Sequence, residues 1–266
     1  AFGQQALENL SGGSRNIAIG NLSLDGSAGS ENDNLAVGYA ALGGSNSGGN
    51  QNVAIGNYSL DANTSGDYNI GMGYNALTAN TTGLRNIAIG VGALDAPDIE
   101  NDNLAIGYDA LGASITAGGE YNVAIGNYTL DALTSGERNI ALGYTAMSGM
   151  QSGAYNTAIG YGALDVETTG WDNIAIGTDA LGGASMSGGY RNVAVGNYSQ
   201  DAITGGDENN SLGHSSLGSV TSGWGNSAVG SYSLSSVSTG YGNSGFGYYV
   251  GTSLTGNYNT LLGYSA

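Results

Sequence analysis

The stretch Asn52-Val53-Ala54-Ile55-Gly56 decides the fold of this chain, because variants of it recur fifteen times along the 266 residues. The copies begin at Asn16, Asn34, Asn52, Asn69, Asn86, Asn103, Asn122, Asn139, Asn156, Asn173, Asn192, Asn209, Asn226, Asn243 and Asn259. Successive copies lie 16 to 19 residues apart, and most are 17 apart. A short phrase repeated at a nearly constant period predicts a solenoid in which each copy forms one coil.

The columns of the repeat predict parallel β-structure. With the glycine of the phrase as position 0, position −1 is apolar in every copy, and position −3 is Ile, Val or Leu in ten copies. Alternate residues of a strand point to the same side, so −3 and −1 share one face and −2 points to the other. A second short strand is predicted after the glycine, with leucine at +4 in eleven copies. The repeat therefore predicts an all-β fold, a parallel β-solenoid of about fifteen 17-residue coils.

Position −2 is alanine in eleven copies, and such a small residue predicts the close approach of another backbone. Both faces of the strand are therefore expected to be buried, with the alanines against a second chain. Three large aliphatic side chains per coil contribute roughly 5–9 kcal/mol, whereas ordering 17 residues costs about 1–2 kcal/mol each. This deficit predicts a homo-oligomer. The interface candidates are Ala18, Ala36, Ala54, Ala88, Ala105, Ala124, Ala141, Ala158, Ala175 and Ala194.

The asparagine that opens each phrase is expected to form a hydrogen-bonded ladder along the solenoid. The ladder candidates are Asn52, Asn69, Asn86, Asn122, Asn139, Asn156 and Asn173. Glycines three residues before most of these asparagines predict tight turns in the closing loop.

Composition excludes several classes of protein. The chain has no cysteine, so disulfides and thiolate metal sites are excluded. Its net charge of −17 makes nucleic acid an unfavourable partner. It contains no apolar run of membrane-spanning length and no signal-peptide pattern, which predicts no membrane insertion in this segment. All four basic residues are arginines directly before a repeat asparagine, and they are predicted to pair with acids on neighbouring coils.

We expect one continuous solenoid domain over residues 1–266. Both ends fall inside a repeat, which predicts a fragment of a longer fibre or a subunit that stacks end to end. Residues 209–266 are degenerate coils, because position −3 becomes polar from Asn210 onward.

The stretch Asn156-Thr157-Ala158-Ile159-Gly160-Tyr161-Gly162-Ala163-Leu164 resembles the head repeats of trimeric autotransporter adhesins (YadA-like) and the similar repeats of bacteriophage tail fibres. The resemblance extends from residue 1 to residue 266. It implies a left-handed β-roll in which three chains pack around a threefold axis outside the cell. The chain departs from the adhesin pattern in its longer period, and it contains no stalk heptads, membrane anchor or chaperone domain.

No catalytic constellation is visible, so we expect no enzyme and no catalytic residue. The single histidine, His214, occupies a column that is held by Asn or Tyr in other coils. Aspartates at +5 are weak calcium candidates, since Ca²⁺ prefers oxygen ligands, but a turn-forming role is favoured for them. These candidates are Asp25, Asp61, Asp95, Asp131, Asp165 and Asp201. No firm metal site and no cofactor are expected.

Aromatic side chains in the closing loop are the candidates for surface contact, because flat rings with one polar end suit sugars and protein surfaces. This loop row consists of Tyr68, Tyr121, Tyr155, Trp171, Tyr190, Trp224, Tyr241 and Tyr258. Stacking of these rings on one another between coils is an equally supported alternative. Tyrosines also form rows at +1 and +2, where a structural role is favoured.

The functional hypothesis is a non-enzymatic structural and adhesive fibre segment, at the cell surface or on a virion. It would present many identical loops for attachment to a cell, host or environmental surface. Its expected partners are copies of itself and a surface glycan or protein. The alternatives are a self-assembling extracellular filament, a phage tail fibre and, less favoured, a monomeric glycan- or ice-binding solenoid.

Overall fold

The computed structural model describes residues 1–26, 29, 31–44, 48–96, 99–113, 118–166, 168–183 and 188–266. It divides into two compact units, Ala1–Ser135 and Gly136–Ala266. The described residues contain strands and turns and no helix. None of them therefore forms a helix that could cross a membrane.

Each copy of the phrase contributes one three-residue strand, at positions −3 to −1. The strands of the first unit are β1 (Ile17–Ile19), β2 (Leu35–Val37), β3 (Val53–Ile55), β4 (Ile70–Met72), β5 (Ile87–Ile89), β6 (Leu104–Ile106) and β7 (Val123–Ile125). Those of the second unit are β8 (Ile140–Leu142), β9 (Thr157–Ile159), β10 (Ile174–Ile176), β11 (Val193–Val195), β12 (Asn210–Leu212), β13 (Ser227–Val229), β14 (Ser244–Phe246) and β15 (Thr260–Leu262).

Within each unit, consecutive strands pair in parallel and in register. Ala18 lies opposite Ala36, for example, and Ala175 lies opposite Ala194. The prediction of an all-β parallel solenoid with one coil per phrase is therefore confirmed.

Glycine at position 0 ends each strand. Gly20 has φ +134°, and a Cβ atom there would lie only 2.3 Å from the carbonyl oxygen of Gly38 in the next coil. Any side chain would collide with backbone, which explains why this column is glycine in every copy.

The segment after the glycine is a tight turn, and the prediction of a second strand there is wrong. Tyr58 at +2 and Leu60 at +4 both have left-handed backbones, with φ of 60° and 53°. In a strand the chain would extend by about 3.3 Å per residue, whereas this turn directs Leu60 back into the interior of the coil. The Leu60 N–H still donates to the Ala76 carbonyl of the next coil, at 3.0 Å.

Burial of the leucine side chains offsets the cost of their left-handed backbone conformation. A non-glycine residue in this conformation costs roughly 1–2 kcal/mol, and complete burial of a leucine contributes about 1.5–3 kcal/mol. Leu24, Leu60 and Leu94 are all completely buried. The leucine column therefore forms the main apolar filling of each coil.

The asparagine column connects neighbouring coils through the backbone. The N–H of Asn156 donates to Oδ1 of Asn139 at 3.0 Å, and Nδ2 of Asn156 donates to the Gly170 carbonyl at 2.8 Å. Nδ2 also donates to Oδ1 of Asn139, at 3.1 Å. Each amide thus ties its coil to both neighbours, and one of its partners is the glycine carbonyl of the closing loop.

Candidate interaction surface

In each unit, the side chains at −3 and −1 of the strands form a face that is here called the outer face of that unit. In the first unit all fourteen of these side chains are aliphatic, and none is fully buried. Ile17 is 54% exposed and Ile89 is 38% exposed. Large apolar side chains are normally buried, so a continuous, partly exposed strip of them is a candidate interaction surface.

The alanines at −2 point in the opposite direction, and their predicted role has to be corrected. Ala54, Ala124 and Ala158 are completely buried within their own chain, as are the other interface candidates to within 1%. They cannot contact a second chain in this fold.

The interior of the coil explains why this column is so small. Gly71 replaces alanine at −2 in β4, and a Cβ atom there would lie 2.5 Å from Ser59 Oγ and 3.4 Å from Leu60 Cγ. The close neighbour of the −2 residue is thus the turn that follows the glycine in the same chain. Another backbone does approach closely, since the Ala76 carbonyl oxygen would lie 3.1 Å from the same Cβ atom, but it belongs to the same chain and not to a partner as predicted.

The outer face changes character in the second unit. Position −1 remains apolar through Leu262, but −3 is polar in the four strands from β12 to β15. The small side chain of Ser227 leaves a shallow groove of about 410 Å³ beside Leu212, Val229 and Phe246. The described outer face is therefore a uniform aliphatic strip in the first unit and a mixed surface toward the end of the second.

A buried polar network accompanies this change. Gln200 replaces leucine at +4 and is completely buried, and its Nε2 donates to Ser211 Oγ at 2.8 Å and to the Val193 carbonyl at 2.9 Å. Ser211 replaces alanine at −2, and its hydroxyl lies 2.5 Å from that of Ser199. Gln200 Oε1 has no hydrogen-bond partner among the described residues. Sequence reasoning missed this network, although both substitutions are visible as departures within their columns.

The loop row lies at the surface, and its rings also contact one another. Six of its eight members are exposed, from Trp171 at 40% to Tyr258 at 73%, and Tyr190 and Tyr241 are half-buried. Trp224 stacks on Tyr241 with ring centroids 4.8 Å apart and an interplanar angle of 4°. The predicted stacking between coils is therefore observed and the rings still present an exposed edge, while contact with a glycan or protein surface stays a prediction.

Two arginines extend the loop row. The Arg191 guanidinium lies 4.9 Å from the centre of the Trp171 ring and 5.5 Å from that of Tyr190. Arg138 lies 5.4 Å from the centre of the Tyr155 ring and donates to its hydroxyl at 3.0 Å. The row is thus a band of aromatic and cation–π contacts on a chain that is otherwise strongly acidic.

The arginines also pair with acids, mostly across coils as predicted. Arg15 binds Asp33 of the next coil, with Nε to Oδ1 at 2.5 Å and Nη2 to Oδ2 at 2.7 Å. This guanidinium holds the pKa of the Asp33 carboxyl below its usual range. Arg85 and Asp102 repeat the arrangement. Arg138 instead pairs with the adjacent Glu137, at 2.6 Å.

The aspartates at +5 are half-buried and lie near further carboxylates. Burial raises the pKa of Asp95, and the charge of Asp109 raises it further. Burial likewise raises the pKa of Asp131, with a smaller contribution from Asp109. Together with Gly112, these three aspartates line a shallow groove of about 310 Å³.

The same arrangement recurs 70 residues later. Burial and the charge of Asp179 raise the pKa of both Asp165 and Asp201. Among the described residues, no three His, Asp or Glu side chains are grouped so that they could hold a metal ion. The aspartates thus repel one another electrostatically, and the part of the chain that the structure describes provides no coordinating set for calcium.

His214 lies in an aromatic column and not in a cleft. Its ring centre is 5.8 Å from that of Tyr198 and 5.2 Å from that of Tyr232. Its Nδ1 is 2.9 Å from the hydroxyl of Ser215. The column places it among ring contacts between coils.

Comparison with protein-family models, with characterised proteins and with solved structures finds no match to this chain.

Proposed function

We propose that this chain is a non-enzymatic structural and adhesive module that self-associates through its outer face and presents the loop row outward. The single observation that carries the proposal is the unbroken aliphatic strip of the first unit. At roughly 60–120 Å² for each fully exposed side chain, the partly exposed strip presents on the order of 400 Å² of apolar surface. That is comparable to the largest apolar patch of a typical monomer and about half of what one partner contributes to a standard interface.

A second copy of this chain is the partner that best fits the strip. The side chains of the outer face repeat at the spacing of parallel strands, about 4.8 Å. A second copy has the same spacing because it has the same fold, so the aliphatic side chains of every coil can pack against those of a coil in the second copy. The acids do not oppose this contact, because no strand of the first unit contains a charged residue.

The proposed assembly has three left-handed chains around a common axis, as implied by the resemblance to adhesin and tail-fibre repeats. It would act outside a cell or on a virion. In such an assembly the loop row would be repeated on every chain, so that many weak contacts to a glycan or a protein surface could add.

The test of self-association is the solution mass of the chain by light scattering, over a range of concentrations. Wild-type chain is expected to show three times the single-chain mass at every concentration. Ile89→Glu places a charge on the outer face and should yield single chains. Val91→Glu is the matched control, because Val91 is an aliphatic residue of the same coil that is 46% exposed but lies beyond the strand.

A single-chain mass for the wild type would overturn the proposal. Mass that rises continuously with concentration would instead favour the filament alternative. Equal effects of Ile89→Glu and Val91→Glu would show that the outer face is not the interface.

A further inference from the structure

Tyrosines of successive coils form close ring pairs at the surface. The ring centroids are 5.3 Å apart in Tyr39–Tyr58 and in Tyr108–Tyr128, 5.6 Å in Tyr144–Tyr161 and 4.7 Å in Tyr232–Tyr249. Each pair includes at least one ring that is more than a third exposed. These pairs follow the glycine of the phrase, and the proposed function does not use them.

The pairs are held in contact by the solenoid itself. The N–H of Tyr128 donates to the carbonyl of Tyr108 at 2.9 Å, and Tyr58 and Tyr39 are joined in the same way at 2.9 Å. A reaction between two rings that the backbone already holds together is effectively unimolecular, which greatly favours it over random encounter.

The chemistry available to two adjacent phenols is oxidative coupling. A haem peroxidase with hydrogen peroxide removes one electron and one proton from each phenol, and the peroxide is reduced to two molecules of water. The two tyrosyl radicals then join through a carbon–carbon bond between their ortho positions. The hydrogen on each newly bonded ortho carbon then moves to the oxygen of its own ring and restores the phenol, so the product, one dityrosine, has two hydrogen atoms fewer than the two tyrosines.

The composition of the chain makes this chemistry distinctive. With no cysteine and no lysine, the chain can form neither disulfides nor lysine isopeptide bonds, yet it contains 18 tyrosines. We propose that the paired tyrosines are sites of oxidative cross-linking, at which a peroxidase-type oxidant joins the two coils of each pair covalently.

Tyr108–Tyr128 is the most informative pair. Asp109, the next residue in the chain, raises the pKa of the Tyr108 phenol, chiefly through its negative charge. Asp109 and Glu120 also lie between the two tyrosines in sequence, so a protease specific for acidic residues separates them. The linked peptides then identify the cross-link directly.

The experiment treats dilute full-length chain with a haem peroxidase and hydrogen peroxide, using an equal mixture of isotopically labelled and unlabelled chains. Digestion at acidic residues should yield a peptide pair joined through Tyr108 and Tyr128, lighter by two hydrogen atoms than the sum of its parts. Both halves should carry the same isotope, because the link lies within one chain. The oxidised chain should also unfold at a higher temperature.

Two variants distinguish the effect of ring pairing from that of the solvent exposure of a tyrosine. Tyr108→Phe keeps the ring contact but removes the phenol, and it should abolish this link. Tyr68→Phe is the matched control, since Tyr68 is 54% exposed and belongs to no described ring pair, and the link should remain.

Two results would overturn the proposal. One is a product of mixed isotopes, which would show that coupling occurs between chains. The other is a Tyr108–Tyr128 yield no higher than that of links involving Tyr68, which would show that exposure and not pairing controls the reaction. The labelled and unlabelled chains are unfolded and refolded together before oxidation, so that any oligomer contains both isotopes and the isotope test holds for every oligomeric state.

Discussion

The backbone N–H of Asn69 donates to Oδ1 of Asn52 at 2.8 Å, and both residues are completely buried. Nδ2 of Asn69 donates to the Gly83 carbonyl, also at 2.8 Å, while its Oδ1 accepts from the N–H of Asn86 at 2.9 Å. One side chain thus satisfies two buried backbone groups of the next coil. The repeat requires asparagine here because aspartate would supply only the acceptor.

Replacing Asn69 by alanine should therefore destabilise the fold strongly. The N–H of Asn86 and the Gly83 carbonyl would each lose a buried partner, at about 1–3 kcal/mol per group. We expect a loss of roughly 2–5 kcal/mol in the free energy of unfolding, measured by urea denaturation. Asn57→Ala is the control, because Asn57 is exposed and accepts one bond, from the Tyr39 N–H at 2.9 Å. A loss of similar size in both variants would contradict the role assigned to the ladder.

Charge at neighbouring positions of β9 should have opposite consequences. Ala158→Glu places a carboxylate in the closed interior, whereas Ile159→Glu places it on the outer face, where Ile159 is 39% exposed. We expect Ala158→Glu to abolish the β-structure seen by circular dichroism. Ile159→Glu should leave that spectrum unchanged and lower only the solution mass. A folded Ala158→Glu variant with reduced mass would restore the original assignment of the alanines to an interface.

Acidification should stabilise the first unit through its aspartate column. Asp95 and Asp131 have pKa values raised above the ordinary aspartate value of 3.8, so the folded state binds protons more tightly than the unfolded state does. Their stabilising contribution is complete below pH 3.8 and is lost as pH rises through the higher pKa of the folded state.

The unfolding temperature should therefore rise as pH falls through the raised pKa values of the folded state toward 3.8. Asp95→Asn combined with Asp131→Asn should flatten this slope and raise the unfolding temperature at neutral pH. Asp33 and Asp102 act in the opposite sense, because their lowered pKa values cause a loss of stability only below pH 3.8. A slope unchanged by the double substitution would show that these aspartates do not control it.

Restoring the repeat residues at the buried polar network should stabilise the second unit. Gln200→Leu with Ser211→Ala removes the completely buried Gln200 carboxamide and the Ser211 hydroxyl together. Gln200 Oε1 is a buried acceptor without a hydrogen-bond partner among the described residues. Its removal should raise the free energy of unfolding by about 1–3 kcal/mol. The reverse change in the preceding coil, Leu181→Gln, should cost at least as much. A double variant less stable than the wild type would show that the network stabilises this region.

The geometry of the aromatic pairs could have been read from the repeat columns alone. Tyr144 and Tyr161 both occupy +1 and stack with an interplanar angle of 10°. Tyr108 at +1 and Tyr128 at +2 meet edge to face, at 69°. Residues of one column have the same backbone conformation, so their rings run parallel, whereas rings from adjacent columns approach from different directions.

The sequence by itself determined the unit of the fold. The asparagine and glycine that recur in every copy of the phrase indicate the length of each coil and the position of its strand. Both residues recur because backbone contacts in every coil require them. The side of the strand that faces inward follows from tertiary contacts and could not be predicted from the repeat. That choice depends on the segment after the glycine, where the left-handed residues Tyr58 and Leu60 form a turn instead of a strand. The turn brings Leu60 against Gly71 of the next coil, so the −2 column is enclosed and the aliphatic side chains are left on the outer face.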